Sequence, residues 1–180
     1  MDARLVGLIL LAVIALYAVL TFNRFVQMRH RVTNAWQQVE IQLSTRDRLV
    51  DQLLELDALH AEHQREMVGE ILQARQRLAE CNGVGPCAEA NLAMREALTR
   101  FLTIVEDYPN APEIADSLVR QIGRAEDKVA FTQQFYNDRV TALNTKLDMF
   151  PSRWVGKLAK VSRAELFDAE PSRAMPTLRA

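Results

Sequence analysis

Glycine and proline are scarce in this sequence, which has six of each in 180 residues. None of them lies between Asn23 and Glu66, so nothing in that stretch demands a turn or interrupts a helix. Apolar residues recur at spacings of three and four instead of alternating, which is the pattern of helices and not of strands. The sequence therefore predicts an all-α protein.

An excess of charge of either sign is also missing. Twenty-two basic residues balance twenty-three acidic ones and leave a net charge of −1, which gives no electrostatic reason to expect nucleic acid as a partner. The sequence has no phosphate-binding glycine loop, no nucleophile elbow and no cysteine pairs of the zinc-site type. We therefore expect a protein that is not an enzyme and that needs no cofactor.

The run from Leu5 to Phe22 contains no charged residue. As a helix its eighteen residues would rise about 27 Å, close to the roughly 30 Å hydrocarbon core of a bilayer. A secretory signal peptide is the alternative, but the run ends without the small-residue cleavage site that signal peptidase needs. Residues 1–23 are thus predicted to be an uncleaved transmembrane anchor that continues directly into the next helix.

Four apolar stripes at helical spacing follow the anchor. They run from Phe25 to Leu56, from Met67 to Leu78, from Met94 to Val105 and from Ile114 to Leu147. Breaks are expected near residues 57–63, at the glycine- and proline-containing turn 81–87, and at 107–109. Short connections between four helices predict an up-down-up-down antiparallel four-helix bundle over residues 24–150.

Several short motifs resemble the LemA family of bacterial membrane proteins, in the order that the family shows. They are Phe22-Asn23-Arg24-Phe25-Val26, the run from Ala35 to Leu43, Tyr108-Pro109, Phe135-Tyr136-Asn137-Asp138, Asn144 and Phe150-Pro151. The resemblance implies a single anchor, a four-helix bundle and no agreed biochemical activity, with a role in magnetosome formation for some members. Where the family usually has a proline, this chain has Arg48-Leu49-Val50-Asp51-Gln52-Leu53, so we expect a straighter first helix.

One charged residue, Arg46, interrupts the first apolar stripe. Glu126, Asn137 and Asn144 lie along the fourth helix and could join it in a buried polar network that fixes the helix register, because a buried charge needs a partner. Alternatively, Arg46 lies on the bundle surface with only its stem packed. The sequence leaves both interpretations open.

Histidines offer the only pattern that suggests a metal site. Asp57, His60 and His63 have the spacing of ligands on one helical face, but a metal site in a bundle usually needs a second such motif from another helix. Because the sequence has none, we interpret these residues as ordinary helix-end side chains and predict no metal ligands.

The C-terminal segment, residues 151–180, combines basic and apolar residues at helical spacing, namely Arg153, Trp154, Lys157, Leu158 and Lys160. In an up-down bundle the fourth helix returns to the anchor end, so a basic amphipathic tail there could contact anionic headgroups. In the alternative, Trp154 and Leu158 cap the open end of the bundle core.

Two observations disagree about the side of the membrane. Arg24, Arg29 and Arg31 follow the anchor, so the positive-inside rule predicts that the bundle is cytoplasmic, at the bacterial inner membrane. Cys81 and Cys87 bracket a tight turn and could instead form a disulfide, which would indicate an oxidising compartment. Cysteines in a cytosolic loop can also be free thiols, so we expect the bundle on the cytoplasmic side.

The function that these observations favour is a membrane-anchored scaffold or adaptor without catalysis. Its expected partners are the lipid bilayer and unidentified proteins, which would bind at the tip near His60 and Tyr108–Pro112, and a homo-oligomer is also possible. A membrane-surface or membrane-remodelling role is the first alternative, and it depends on the tail. A metal or redox site within the bundle is the second alternative.

Overall fold

The computed structural model describes residues 3–55, 65–106 and 113–168, and every regular element within them is an α-helix. In chain order the helices are α1 (Ala3–Leu54), α2 (Arg65–Glu80), α3 (Val84–Glu106), α4 (Glu113–Asp148) and α5 (Ser152–Leu158). A long apolar N-terminal helix is thus followed by a helical bundle. The predicted fold class is confirmed.

Helix α1 continues for 52 residues without a break. It contains a single glycine, Gly7, and no proline, so every backbone N–H after the first turn has its partner one turn earlier. The helix also continues through Arg48–Leu53, where the LemA pattern usually has a proline. The apolar run of α1 therefore continues directly into the bundle helix, as predicted.

The chain folds into two compact units, and each unit combines segments that are distant in the sequence. The first unit contains residues 1–37 and 135–164, and the second contains residues 38–134 and 165–180. The boundaries suggested by the sequence pattern, after residues 23 and 150, both fall inside the first unit. Helices α1 and α4 each contribute to both units.

The second unit has a core built from all four of its helical segments. Three residues, 81–83, connect α2 to α3, so these two helices pack as an antiparallel hairpin. Phe101 and Met94 of α3 are completely buried among apolar side chains of α1, α2 and α4. The other buried members of this cluster are Val50, Leu53, Ile71, Ala74, Ala97, Leu98, Ala115, Leu118, Val119 and Ile122.

The turn between α2 and α3 is shorter than expected. The sequence places it at residues 81–87, but α3 begins at Val84. Pro86 fits the first turn of a helix because the backbone N–H groups there have no helical partner to lose. Gly83, with φ of 97°, alone supplies the left-handed backbone conformation of the turn.

The first unit is organised around Phe25 of α1, which is completely buried against Leu143 and Leu147 of α4. Helix α5 also packs here, through its small residues. A Cβ atom on Gly156 would come within 2.7 Å of the Leu147 side chain and 3.5 Å of the Phe25 ring, so only glycine fits without a shift of its neighbours. The partly buried members of this cluster are Met28, Val32, Val155, Val161 and Ala164.

The C-terminal segment is helical over a shorter stretch than its residue spacing suggests. After α5 and the positive φ of 51° at Lys160, residues 161–168 are not helical. The side-chain amide of Asn144 accepts a hydrogen bond from the Ala164 backbone N–H (3.0 Å) and donates one to its carbonyl (2.9 Å). These two bonds satisfy the backbone N–H and carbonyl groups of Ala164 without a helix.

Candidate functional site

Helix α5 exposes its large side chains and buries its small ones. Ser152 and Gly156 face the protein, whereas Trp154 is 71% exposed and Leu158 is 86% exposed. The preceding Phe150 is 75% exposed and forms a T-shaped ring contact with Trp154. The sequence-based alternative, in which Trp154 and Leu158 cap the bundle core, is therefore wrong, because the close approach of Gly156 directs both side chains outward.

Basic residues alternate with these exposed apolar residues along the segment. The three that the residue spacing indicates in this segment are all exposed, namely Arg153, Lys157 and Lys160. Among the described residues, none of the three forms an ion pair. We call the exposed surface formed by Phe150, Trp154, Leu158 and these three cations the α5 surface.

A hydrogen bond connects α5 to the apolar run of α1. The Tyr17 hydroxyl lies 3.4 Å from the Ser152 hydroxyl, and either group can donate. Tyr17 is within the eighteen-residue run that is long enough to cross a membrane, five residues before its end at Phe22. The α5 surface therefore lies beside the final turns of that run.

The structure buries Arg46 completely and gives it two partners. Its Nη1 atom donates to Glu126 Oε1 and to Asn91 Oδ1, each at 2.9 Å. Its Nε and Nη2 atoms have no partner among the described residues. Of the two interpretations that the sequence left open, the surface position of Arg46 is wrong.

Of the other two residues of the predicted network, Asn144 has a different partner. Asn144 uses its amide on Ala164, and about five turns of α4 separate it from Glu126, so it is not a member of this cluster. Asn137 is half-buried on α4. Sequence reasoning missed Asn91, although one signal was present, since Asn91 is a polar residue within the apolar stripe of α3 that includes Met94, Leu98 and Phe101.

A second ionic cluster, on the surface between α1 and α2, was not predicted from the sequence. Arg75 donates to both oxygens of Asp47, at 2.6 and 3.0 Å, and also binds both oxygens of Asp51. Its hydrogen bonds to Asp47 raise the pKa of Arg75 above its usual value, and the bonds to Asp51 add to this effect. The two carboxylates lie four residues apart, so one guanidinium can bridge both.

Cys81 and Cys87 form a disulfide at the turn between α2 and α3. Their Cα atoms are 5.1 Å apart, a usual separation for a disulfide, and the bond links the end of α2 to the first turn of α3. Cys87 is buried and Cys81 is partly exposed.

Metal-ligand clusters are not found within residues 3–55, 65–106 and 113–168. The candidate ligands Asp57, His60 and His63 lie outside the described residues, as does the proposed partner-binding segment Tyr108–Pro112.

The fold places this chain among all-α proteins that combine one long apolar helix with a helical bundle. A model of the LemA family matches residues 35–179, which is most of the chain. The protein therefore belongs to the LemA family, as the motifs predicted. No curated protein is similar enough to this chain to count as a match.

We predict that the buried charge of Arg46 depends on Glu126. Glu126→Gln should lower the free energy of unfolding by about 3 kcal/mol, because it leaves a buried guanidinium without a counter-charge. Adding Arg46→Met should restore most of that loss, since an apolar side chain of similar length needs no partner. Urea unfolding of the full chain in mild detergent, monitored by circular dichroism, measures both changes in the free energy of unfolding.

The matched control is the exposed ion pair between Arg100 and Glu70. Glu70→Gln should change stability by less than about 1 kcal/mol, because exposed pairs contribute little. If Glu126→Gln lowered the free energy of unfolding no more than Glu70→Gln does, the buried ion pair would stabilise the protein no more than the exposed one.

Proposed function

We propose that this protein is a single-pass membrane protein of the bacterial cell membrane whose helical bundle acts as a non-enzymatic scaffold. The exposure of the apolar part of α1 carries the proposal. Only 6% of its most apolar eighteen-residue window is buried within the protein, whereas the core helix of a soluble domain would be mostly buried. A bilayer is an environment that can cover such a surface.

Packing at the end of the apolar run argues against its removal as a signal peptide. Tyr17 bonds to Ser152, Thr21 is buried, and Phe25 forms the centre of the first unit. A signal peptide that is cleaved off contributes no contacts to the mature fold. These contacts favour a permanent anchor that is part of the folded protein.

The surface of the second unit supports the scaffold role. Several large apolar side chains of its helices stay exposed, and the most exposed is Phe131, at 70%. The others are Ile41, Leu72 and Ile114. Exposed aromatic and aliphatic residues of this kind provide anchor points for protein partners, including a second copy of this chain.

We predict that a photo-crosslinking amino acid at Phe131 captures a discrete protein partner in intact cells. Benzoylphenylalanine at this position should give one reproducible adduct, which would have twice the protein's own mass if the partner is a second copy. The control is the same residue at Leu11, inside the proposed anchor, where only lipid adducts are expected. If Phe131, Ile41, Leu72 and Ile114 all gave no protein adduct, the scaffold proposal would be refuted.

The disulfide favours a location of the bundle outside the cytoplasm, contrary to the expectation from Arg24, Arg29 and Arg31. Disulfides persist in oxidising compartments and are rare in the cytosol. The positive-inside rule applies best to short loops, and the roughly 155 residues after the anchor are a long domain, which can translocate despite flanking charges. We therefore propose an exterior bundle.

We predict that Cys81 and Cys87 react with a membrane-impermeant maleimide in intact cells only after treatment with a reducing agent. Reduction opens the disulfide, and the exterior location makes the thiols accessible. Labelling that requires permeabilisation of the membrane would instead place the bundle in the cytoplasm. The Cys81→Ser/Cys87→Ser variant is the control, because any label that it takes up is bound at a site other than these two thiols.

A role at the membrane surface is a second candidate, and the α5 surface is the observation that favours it. Aromatic and aliphatic side chains surrounded by cations are typical of protein segments that lie at the headgroup level. The hydrogen bond between Tyr17 and Ser152 holds this surface beside the proposed span. We propose that the α5 surface inserts its apolar side chains at the membrane interface.

We predict that brominated lipids quench Trp154 but not Trp36. In vesicles that contain the full chain, the Trp36→Phe protein reports on Trp154 and the Trp154→Phe protein reports on Trp36. Trp36 is the matched control, because it lies fourteen residues beyond Phe22, about 21 Å farther along α1. Equal quenching of the two tryptophans would contradict insertion of the α5 surface.

A further inference from the structure

A cavity of about 720 Å³ opens beside α1 in the first unit. Its α1 residues follow one face of the helix and include Tyr17, Thr21, Arg24 and Arg31. Lys146 of α4 lines the opposite side. The cavity therefore begins within the apolar run of α1 and extends past its end at Phe22.

The cavity is strongly cationic. Arg24, Arg31 and Lys146 line it, and none of its described lining residues is acidic. None of the three cations forms an ion pair with a carboxylate among the described residues. Three positive charges around one cavity repel each other, and a bound anion would relieve that repulsion.

The polarity of the lining changes along α1. Leu20 and Tyr17 belong to the apolar run, whereas Asn23, Arg24 and Gln27 follow immediately after it. Arg24 lies about 3 Å beyond Phe22 along the helix, and Gln27 about 7.5 Å beyond it. These positions match the headgroup layer, which adds roughly 5 to 8 Å to each side of the hydrocarbon core.

We propose that this cavity binds the headgroup of an anionic phospholipid. Arg24 and Lys146 neutralise the phosphate from two different helices, Asn23 and Gln27 offer amide groups to the rest of the headgroup, and Leu20 lies along the first part of an acyl chain. The proposal rests on the membrane anchoring proposed above, and it adds a lipid class and a binding site that are separate from the α5 surface.

The test measures lipid binding by native mass spectrometry of the full chain in a neutral detergent. The probes are short-chain phosphatidylglycerol, short-chain phosphatidylcholine and free glycerol phosphate. We expect phosphatidylglycerol to bind most tightly. Arg24→Gln/Lys146→Gln should weaken its binding at least about tenfold, because each cation near a headgroup contributes several-fold to affinity.

The matched control is Arg29→Gln/Lys128→Gln, which removes the same charge from exposed positions on the same two helices, outside the cavity. It should change phosphatidylglycerol affinity by no more than about twofold, because neither side chain lines the cavity and solvent weakens the effect of exposed charges outside it. Equal weakening by both double variants would overturn the proposal in favour of diffuse attraction.

Two further outcomes would overturn the proposal. Equally tight binding of phosphatidylcholine would show that the cavity does not select an anion, and equally tight binding of glycerol phosphate would identify a soluble ligand instead of a lipid.

Circular dichroism checks the fold of each variant, and Arg31→Gln provides a second cavity variant if the first loses helicity. Flotation of the wild-type protein with vesicles tests anchoring separately, so the two failures are distinguishable.

Discussion

The uninterrupted helix α1 is the constraint on which the rest of the structure depends. Its 52 residues supply Tyr17, Thr21 and Phe25 to the first unit and Val50 and Leu53 to the core of the second unit. A proline within the helix would remove a backbone hydrogen bond and bend it, so side chains on either side of the bend would change direction. Continuity of the backbone therefore decides which side chains α1 presents to the bundle.

The buried Arg46 also constrains the fold, but its burial lowers the stability of the protein. Two of its three guanidinium nitrogens have no partner among the described residues, and its desolvation is offset only by Glu126 and Asn91. An apolar side chain at this position would avoid the desolvation cost. The charge links three helices, because Arg46 of α1 has one partner on α3, Asn91, and one on α4, Glu126.

Sequence reasoning identified the elements that depend on periodicity and failed where the outcome depended on tertiary contacts. The unbroken α1 and the all-α fold follow from apolar spacing and from the absence of glycine and proline, which are local properties. The direction of the Trp154 side chain does not follow from local properties, because it depends on the packing of Gly156 against Leu147 of α4 and against Phe25, which is distant in the sequence. Likewise, the spacing that suggested a longer helix after Leu158 could not reveal that Asn144 binds the backbone of Ala164.

Arginines after an anchor are usually counted as evidence for a cytoplasmic domain, and here they conflict with a disulfide that favours the exterior. The conflict disappears if some of the cations have a local partner. Arg24 and Arg31 line the cavity together with Lys146, which comes from a helix about 120 residues later and is not part of the flanking segment that the positive-inside rule considers. A charge retained to bind a headgroup is compatible with either leaflet, because both contain lipid phosphates. If the cavity binds a lipid headgroup as proposed, the cations that follow the apolar run therefore indicate lipid contact more directly than they indicate topology.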